Sequence, residues 1–591
     1  MMDSLEKQIN NLLKEYDNSI QKFNESNISD SIRRSTKSIK KENIPDSVFA
    51  DILAFDFSEN YHEKSDGWGT YFGPLFASKS NEGEIIQYPD IKQVTSLILS
   101  FWEKRTNELK HPILLQRYNL LIYEFYKIVT GSIPDYKFAV NAINNIISIA
   151  DNECYSDDIY VFEKLEYALI LALKVNNADL IEKTYKALIS FEKKVAENNK
   201  PGLWGHAFVL LDNKKITLSN DIKIYLIRDM EERLNRLIND ITSNFNPWAV
   251  ERASLLLANY YRKVGKQDDV QRVLIILERA FDRISKDASP IQVSSWQQNI
   301  HRYFKEYGLN KEAERIAVKI QKVGPQMAKD LKQITHKIDI QNDDMEKFMS
   351  QFYDLDLDST YKRIASIFIP KRIEIEKQLD ELFNSAPLSF LVNKQIIDYN
   401  GVPIATIGSL EDDRIGNVVQ QMAQNLKISS IFLGFAIEET KKRFKMSYED
   451  FVQYLYESPL FLIEKKPFIE LGIKYYFENS YVECIHILIP QIEDLVRNLI
   501  DIGGGTTLKS SRNGGIVYKT LEELLRDDIF LNTLGEDISL YLRGLFTDIR
   551  GWNIRNNLCH GLIRIEMLNH IVADRLIHVL LLLTLVKVEK S

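Results

Sequence analysis

Apolar residues recur at helical spacing over a long part of this chain, from residue 91 to about residue 331, with only short polar breaks. The 591 residues include only 24 Gly and 15 Pro, which is few for an all-β protein with many turns. Within the periodic region, Gly265 and Gly308 each follow an aromatic helix end, at a spacing typical of helix-hairpin repeats. The sequence therefore predicts a mainly α protein whose first half is a helical-repeat-like array.

Changes in composition divide the chain into four predicted segments. They are a polar leader with an aromatic cap (1–110), a helical array (111–338), a mixed, mostly helical middle domain with a hairpin (339–468) and a helical domain (469–591). In the first segment, the cluster at 67–76 combines glycine turns with aromatic rings. This combination favours a structural cap over a ligand pocket.

The middle segment carries one β-hairpin signal, Asn400-Gly401, a pair that suits the positive φ angles of a two-residue turn. The flanking strands are predicted at 395–399 and 402–407, and Pro403 makes the second one an edge strand. Further along the chain, one long helix is predicted over 469–502, with a bend at its internal proline. Shorter helices are predicted at 520–527, 537–550 and 563–589.

The charge balance and the cysteines restrict the function classes. A formal net charge of −8 excludes a generally basic, nucleic-acid-coating surface and leaves only a local basic patch. Cys154, Cys484 and Cys559 are far apart and odd in number, which indicates a reducing compartment without structural zinc. The first residues lack an apolar signal-peptide core, and the longest apolar run, 576–586, is too short to span a bilayer. We predict a cytoplasmic protein without a membrane partner, in which 576–586 belongs to a buried terminal helix.

Several common catalytic motifs are absent from the sequence. It has no GxxxxGKS/T phosphate loop, no GxGxxG after a predicted strand, and neither HExxH nor GxSxG. The nine histidines form no pairs with metal-ligand spacing. The sequence therefore predicts no metal site and no cofactor, and it disfavours ATPases, dehydrogenases, zinc proteases and serine hydrolases.

An arginine is followed by a histidine five or six positions later at three places, Arg105–His111, Arg555–His560 and Arg564–His570. The first pair precedes a proline at an apparent helix start, and the third lies in a predicted amphipathic helix, so both have structural explanations. In the second pair, two asparagines follow the arginine, and Gly561 follows the histidine at a break before the last apolar helix. Polar residues therefore crowd a place where a core helix would otherwise continue.

The segment around the second pair resembles the HEPN superfamily, which comprises four- to five-helix domains with an arginine and histidine motif near the last helix. It is closer still to a family of large bacterial proteins with an RG, RN and HG string, matched here by Arg550-Gly551, Arg555-Asn556 and His560-Gly561. The family's IHxLxPQIE string matches 485–493, and its N-terminal tryptophan and FGP cluster matches Trp68 and 72–74. The resemblance is strong over about 475–585 and loose in the helical middle.

The resemblance implies a metal-independent endoribonuclease that uses the 2′-hydroxyl of RNA as the nucleophile and leaves 2′,3′-cyclic phosphate ends. In this interpretation His560 is the general acid or base, Arg555 stabilises charge on the phosphate, and Asn556 orients the imidazole or contacts RNA. HEPN domains usually pair about a two-fold axis, which implies a homodimer through the C-terminal domain with one composite cleft. The alternative is a structural arginine and histidine that brace a helix junction.

Further candidate residues flank this pair. Arg550 is expected to add positive charge to the cleft, although the region from Leu471 onward is slightly acidic as a whole. His486, Glu493 and Arg497 lie on one helical stripe. They either line the cleft or pair with buried polar groups and support the motif loop.

The habits of the superfamily favour a toxin-like effector of bacterial anti-phage defence, in which the helical array senses or restrains the nuclease and a regulatory protein is a partner. The alternative is a non-enzymatic helical scaffold or sensor that dimerises through its C-terminal bundle. Nucleotidyl transfer onto a protein partner is a third interpretation, but the chain has no recognisable nucleotidyltransferase motif.

Overall fold

The computed structural model of the protein describes residues 2–59, 68–79, 85–332, 341–512 and 514–587. Within these residues the fold is mainly α-helical, and its strands form three two-stranded antiparallel sheets. The predicted mainly α fold with a small β-hairpin is therefore confirmed. Contacts divide the chain into two compact units, Met1–Lys319 and Ile320–Ser591. The four-segment division stays a prediction; its boundary at 338/339, Gly67 of the aromatic cluster and Glu589 of the last predicted helix lie outside the described residues.

The first unit is built from helices and one small sheet. Its elements are α1 (Met2–Asp17), α2 (Glu25–Thr36), α3 (Asp46–Asp56), β1 (Phe76–Lys79), β2 (Ile85–Tyr88), α4 (Ser96–Glu108), α5 (Pro112–Thr130), α6 (Tyr136–Asn152), α7 (Asp158–Lys174), α8 (Ala178–Val195), α9 (Asn220–Ile238), α10 (Pro247–Lys263), α11 (Gln267–Ile284), α12 (Pro290–Glu306) and α13 (Asn310–Asp330), the last of which contains the boundary.

Consecutive helices of the first unit pack on each other, most extensively α5 on α6 and α10 on α11. Gly265 and Gly308 lie just beyond α10 and α12, each with a φ of 76°. Glycine adopts this left-handed conformation without a Cβ clash, so it ends the helix and turns the chain into the next one. The turns expected at these two glycines are present.

The aromatic cluster of the first unit packs into its core. Tyr71 and Phe72 are buried, and the ring of Tyr71 stacks on that of Tyr167 with centroids 3.8 Å apart. Below it, the Lys164 ammonium donates to a carboxylate oxygen of Glu59 at 2.6 Å. The pairing compensates the cost of burying the Lys164 charge, so these polar residues have a structural explanation.

The first arginine–histidine pair also has a structural role. Arg105 donates to both carboxylate oxygens of Asp51, at 3.1 and 2.5 Å. Nδ1 of His111 accepts the backbone N–H of Ile113 at 3.3 Å, so this histidine caps α5.

The second unit contains the two remaining sheets. Its elements are α14 (Asn342–Ser350), α15 (Leu357–Ile367), α16 (Arg372–Ser385), α17 (Leu388–Leu391), β3 (Lys394–Ile397), β4 (Pro403–Ile407), α18 (Arg414–Arg443), α19 (Tyr448–Leu455), α20 (Lys466–Phe477), α21 (Tyr481–Ile502), β5 (Leu508–Ser510), β6 (Ile516–Tyr518), α22 (Leu521–Leu524), α23 (Asp528–Leu534), α24 (Glu536–Phe546), α25 (Ile554–Cys559) and α26 (His570–Thr584).

One hydrophobic core runs through the second unit from Met349 to Leu583. It includes helices from both of the last two predicted segments, 339–468 and 469–591. The helix α26 lies at its centre, since every residue from Val572 to Thr584 is buried and the helix packs on α15, α18 and α21. The expectation of a buried terminal helix is therefore confirmed for 576–584, whereas Leu585 and Val586 lie beyond its end and Leu585 is exposed. The short helix α25 joins this core through Ile554 and Leu558.

The hairpin predicted in the middle of the chain forms as β3 and β4, but its turn differs from the expected one. Only Gly401 has a positive φ (76°), and the Asp398 carboxylate accepts the backbone N–H groups of Asn400 and Val402. A Cβ at Gly401 would lie 1.9 Å from the carbonyl oxygen of Gly324 in α13. Glycine is therefore required at the turn for close approach as well as for backbone conformation.

The prediction of a single helix over 469–502 is wrong. The chain forms two helices there, α20 and α21, and Pro490 lies inside the second. Asn479 between them has a left-handed φ of 60°, and the N–H of Ser480 donates back to the carbonyl of Tyr475. Asparagine tolerates this conformation better than most residues, so it ends α20. Close packing of the two helices, with Gly472 against Leu488, stabilises the break.

The third arginine–histidine pair was expected within one helix, and this is also wrong. Arg564 precedes a single 3-10 turn at Ile565–Met567, and His570 is the first residue of α26. The Asn569 side chain accepts the N–H of Val572 at 3.3 Å, which fixes the start of α26 at this point.

Two ionisable groups of α26 are buried with unusual pKa values. Burial raises the pKa of Asp574 to about 6, although its carboxylate accepts a hydrogen bond from Tyr476 Oη at 2.6 Å. Burial also lowers the pKa of His578 to about 3, and neighbouring Arg575 acts in the same direction. The core of the second unit therefore favours the neutral form of both side chains.

Asp574→Asn is expected to raise the free energy of unfolding at pH 7.5 by up to about 3 kcal/mol. The folded-state pKa of Asp574 lies above the ordinary 3.8, so its stabilising effect is complete below pH 3.8 and lost as the pH rises through about 6. Asparagine keeps an acceptor for Tyr476 without the ionised form. Urea unfolding at pH 7.5 and pH 4 measures the difference, which should fall to about 0.5 kcal/mol or less at pH 4. Lower stability of the variant at both values would contradict this explanation.

Candidate functional site

The chain enters the motif helix α25 through a tight turn against α24. The N–H of Trp552 donates to the carbonyl of Gly544 at 2.7 Å, and its indole N–H donates to the carbonyl of Ala423 at 3.0 Å. A Cβ at Gly551 would lie only 2.1 Å from the same Gly544 oxygen. The glycine of the RG string is therefore a steric requirement of this turn, and the turn sets the position of α25.

Arg550, the other residue of the RG string, is engaged by the same turn. Its guanidinium donates to both carboxylate oxygens of Asp548, at 3.0 and 2.8 Å, and lies 3.5 Å from Asp413. The hydrogen bonds that Arg550 donates to Asp548 raise the pKa of Arg550 above its ordinary value. Arg550 thus braces the turn, and its charge is largely compensated within the chain.

Glu493 of α21 brings two arginines together. Its Oε2 accepts the Arg555 Nε–H at 3.0 Å, and its Oε1 accepts an Arg497 Nη2 donor at 2.5 Å. The Arg497, Glu493 and Arg555 side chains are 18%, 14% and 24% exposed. We call these three residues the Glu493 cluster. One carboxylate between two guanidiniums leaves a net positive charge at a place that solvent reaches.

Asn556 supports Arg555 from the neighbouring position. Its amide Nδ2 donates to the carbonyl of Thr547 at 3.1 Å and to Asn553 Oδ1 at 2.9 Å, which points Oδ1 at Arg555 Nη1, 3.3 Å away. The structure thus places Asn556 against the arginine, and its described hydrogen bonds do not include the imidazole of His560. With Glu493, it fixes the guanidinium plane.

His560 caps the carboxyl end of α25 and is exposed. Its backbone N–H donates to the carbonyl of Asn556 at 3.0 Å, and Gly561 follows in a left-handed conformation (φ 67°). Within the described residues its ring makes no hydrogen bond. Five positions along a helix correspond to a rotation of about 140°, so Arg555 and His560 leave α25 on different sides. One chain therefore does not bring the two groups to a common point through α25 alone.

Only two of the three residues of the stripe predicted on α21 belong to this site. Glu493 and Arg497 join the cluster, whereas His486 lies two turns earlier, about 10 Å along the helix axis. His486 is exposed, and its Nδ1–H donates to the carbonyl of Val482 in the same helix at 2.7 Å. The structure describes no contact between His486 and the Glu493 cluster.

Two residues next to the site were not predicted from the sequence. Tyr518 of β6 lies against Arg497, with the guanidinium carbon 5.3 Å from the ring centroid. Asp548 holds Arg550, and the two are only two positions apart, so charge patterning offered a signal for this pair. No local signal linked Tyr518 to α21, because the contact depends on how the β5–β6 hairpin folds back.

Comparison of the chain with protein-family models, curated proteins and solved structures finds no match. In the part of the chain that the structure describes, no three His, Cys, Asp or Glu side chains come together as metal ligands. No helix in the described ranges is both long enough and apolar enough to cross a membrane.

Proposed function

We propose that the protein is a metal-independent endoribonuclease of the HEPN type that acts as a homodimer through its second unit. The observation that carries the proposal is the Glu493 cluster, in which a carboxylate and Asn556 hold Arg555 while His560 is exposed at the end of the same short helix. A fixed, partly exposed guanidinium can stabilise charge on a phosphate and an exposed imidazole can transfer a proton, and metal-free cleavage of RNA uses both of these functions.

In the proposed reaction, the imidazole of His560 takes the proton of the RNA 2′-hydroxyl as the 2′-oxygen attacks the adjacent phosphorus. Arg555 donates hydrogen bonds to the phosphate oxygens and stabilises the negative charge that develops on them. The bond between phosphorus and the 5′-oxygen breaks, that oxygen takes a proton from water, and the resulting hydroxide takes the proton from the His560 imidazolium. The products are a 2′,3′-cyclic phosphate and a 5′-hydroxyl end.

A second copy of the chain completes the site in this proposal. Because α25 directs Arg555 and His560 to different sides, the arginine of one copy acts with the histidine of the other across a two-fold axis. Leu562 and Ile565, just beyond His560, are large apolar side chains that lie exposed in the single chain. A dimer interface at this position would cover them.

In the cell, we propose that this nuclease serves anti-phage defence, with the helical array of the first unit sensing a signal or restraining the second unit, directly or through a regulatory protein. This part of the proposal depends on the resemblance stated above. An array of helical hairpins offers extended surfaces for such a partner.

The test is incubation of the full chain with mixed RNA in EDTA. We expect cleavage, with fragments that carry 2′,3′-cyclic phosphate ends, from the parent and from the His301→Ala control, which removes a histidine of α12. Light scattering should give the mass of a dimer. If a dimeric protein leaves every RNA intact, the nuclease is rejected, and the non-enzymatic scaffold that dimerises through its C-terminal bundle becomes the better explanation.

A further inference from the structure

The β5–β6 hairpin presents an aromatic ring beside the Glu493 cluster. Tyr518 is 68% exposed, and one face of its ring lies against the Arg497 guanidinium, which is itself hydrogen-bonded to Glu493. The guanidinium supports the ring from one side and leaves the phenol edge and the other face to solvent. An exposed, supported ring next to phosphate-binding groups is the arrangement with which proteins hold unpaired bases.

The register of the hairpin separates its two faces. Leu508 pairs with Tyr518 and Ser510 pairs with Ile516, so these four side chains share one face. Lys509 lies on the opposite face and donates to both carboxylate oxygens of Glu523, at 2.6 Å each. The salt bridge fastens one face to α22, and the face with Tyr518 stays open.

The charge of the hairpin suits an anionic ligand. Residues 506–519 include Lys509, Arg512 and Lys519 and no acidic residue. Lys519 donates to Asp527 at 2.9 Å, whereas Arg512, near the tip, has no ion pair among the described residues. The free positive charge of the hairpin is therefore at its tip, and the positive charge of the Glu493 cluster is at its base.

We propose that Tyr518 stacks on a base of single-stranded RNA whose phosphates lie on the Glu493 cluster and on Arg512. This inference rests on the proposed function for the identity of the ligand, and it extends that function by assigning Tyr518 as a residue that contacts a base of the substrate. Duplex RNA is excluded because its bases are stacked on one another and offer no free face to the ring.

The experiment measures binding separately from cleavage. Fluorescence anisotropy follows a labelled, unstructured 12-nucleotide RNA, and the same strand in a duplex, on the full chain that carries His560→Ala. Loss of one stacked base is expected to weaken single-strand binding about 10-fold or more in Tyr518→Ala, whereas Tyr518→Phe keeps the ring and the affinity. Tyr136→Ala, which removes an equally exposed tyrosine of the first unit, should change nothing.

Three outcomes would overturn the inference: unchanged affinity in Tyr518→Ala, equal affinity for duplex and single strand, or conversion of a dimer to a monomer by Tyr518→Ala. The last would identify the hairpin as a protein interface.

Failure of the proposed function can be distinguished from failure of this inference. If the chain with His560 intact binds the single strand through Tyr518 but does not cleave it, the inference stands and the nuclease fails. If Tyr518→Ala cleaves and binds like the parent, the nuclease stands and the inference fails.

Discussion

His560→Ala is expected to reduce RNA cleavage by about 10²- to 10⁴-fold, because it removes the proposed proton acceptor for the 2′-hydroxyl. Arg555→Ala should cause a loss of about 10²- to 10³-fold, since it removes the charge that stabilises the phosphate in the transition state. Cleavage of a labelled RNA in EDTA under single-turnover conditions gives both values. The His560 ring is exposed and makes no hydrogen bond within the described residues, so thermal unfolding of His560→Ala should match that of the parent. A variant that cleaves at the parent rate would remove His560 from the reaction.

The divergence of Arg555 and His560 on α25 gives this prediction a sharper form. Neither the His560→Ala nor the Arg555→Ala homodimer contains a complete site. A heterodimer of the two variants keeps one arginine and one histidine in separate copies, which is one complete site if the groups act across the two-fold axis. Co-expression of the variants should therefore restore roughly a quarter of the parent activity, because half of the dimers are mixed and each has one of two sites. No restoration would mean that each chain uses its own pair.

Gly551→Ala is expected to destabilise the second unit by about 3 kcal/mol. The added Cβ would lie 2.1 Å from the Gly544 carbonyl oxygen, which also accepts the N–H of Trp552. Both partners are backbone atoms, so no side-chain rotation relieves the clash, and the turn must open. Because that turn positions α25, RNA cleavage should fall together with stability. Urea unfolding followed by tryptophan fluorescence measures the change, since Trp552 is the only tryptophan of this unit.

The matched control for this change is Gly515→Ala. A Cβ at that position meets nothing within 4 Å, and the glycine has no left-handed φ, so stability should change by less than about 0.5 kcal/mol. Equal stability of Gly551→Ala and Gly515→Ala would show that the turn has room to relax and that its glycine has another role.

Local patterns predicted much of the fold because they depend on nearby residues. Helical periodicity identified the region 91–331 as helical, Asn400-Gly401 located the β3–β4 hairpin, and the apolar run identified α26 as buried. The break between α20 and α21 was missed because the polar run Glu478-Asn479-Ser480 is no longer than the polar face of one amphipathic turn, so the apolar residues on either side still fit one helix. Its effect depends on the packing of the two helices, which a periodicity does not contain.

The candidate site was likewise predictable from the sequence only in part. Glu493 and Arg497 are four residues apart on one helix, so their pairing was accessible from spacing. The hydrogen bond between Glu493 and Arg555 joins residues 62 apart in sequence, and only the packing of α25 beside α21 brings them together. The divergence of Arg555 and His560 required the true end of α25, which Gly561 sets. Element boundaries are the least certain part of any sequence-based prediction.

The shared carboxylate of Glu493 has a consequence for selectivity. Two guanidiniums on one carboxylate amount to a single unit of positive charge, on a chain whose overall charge is −8. Seating one phosphate there displaces about one condensed cation from a strand, so its affinity depends only weakly on ionic strength. Long polyanions gain little binding affinity from the remaining surface, because the net negative charge of the chain repels them. Selectivity among RNA strands then depends on the contacts made at the site and little on general attraction to the surface.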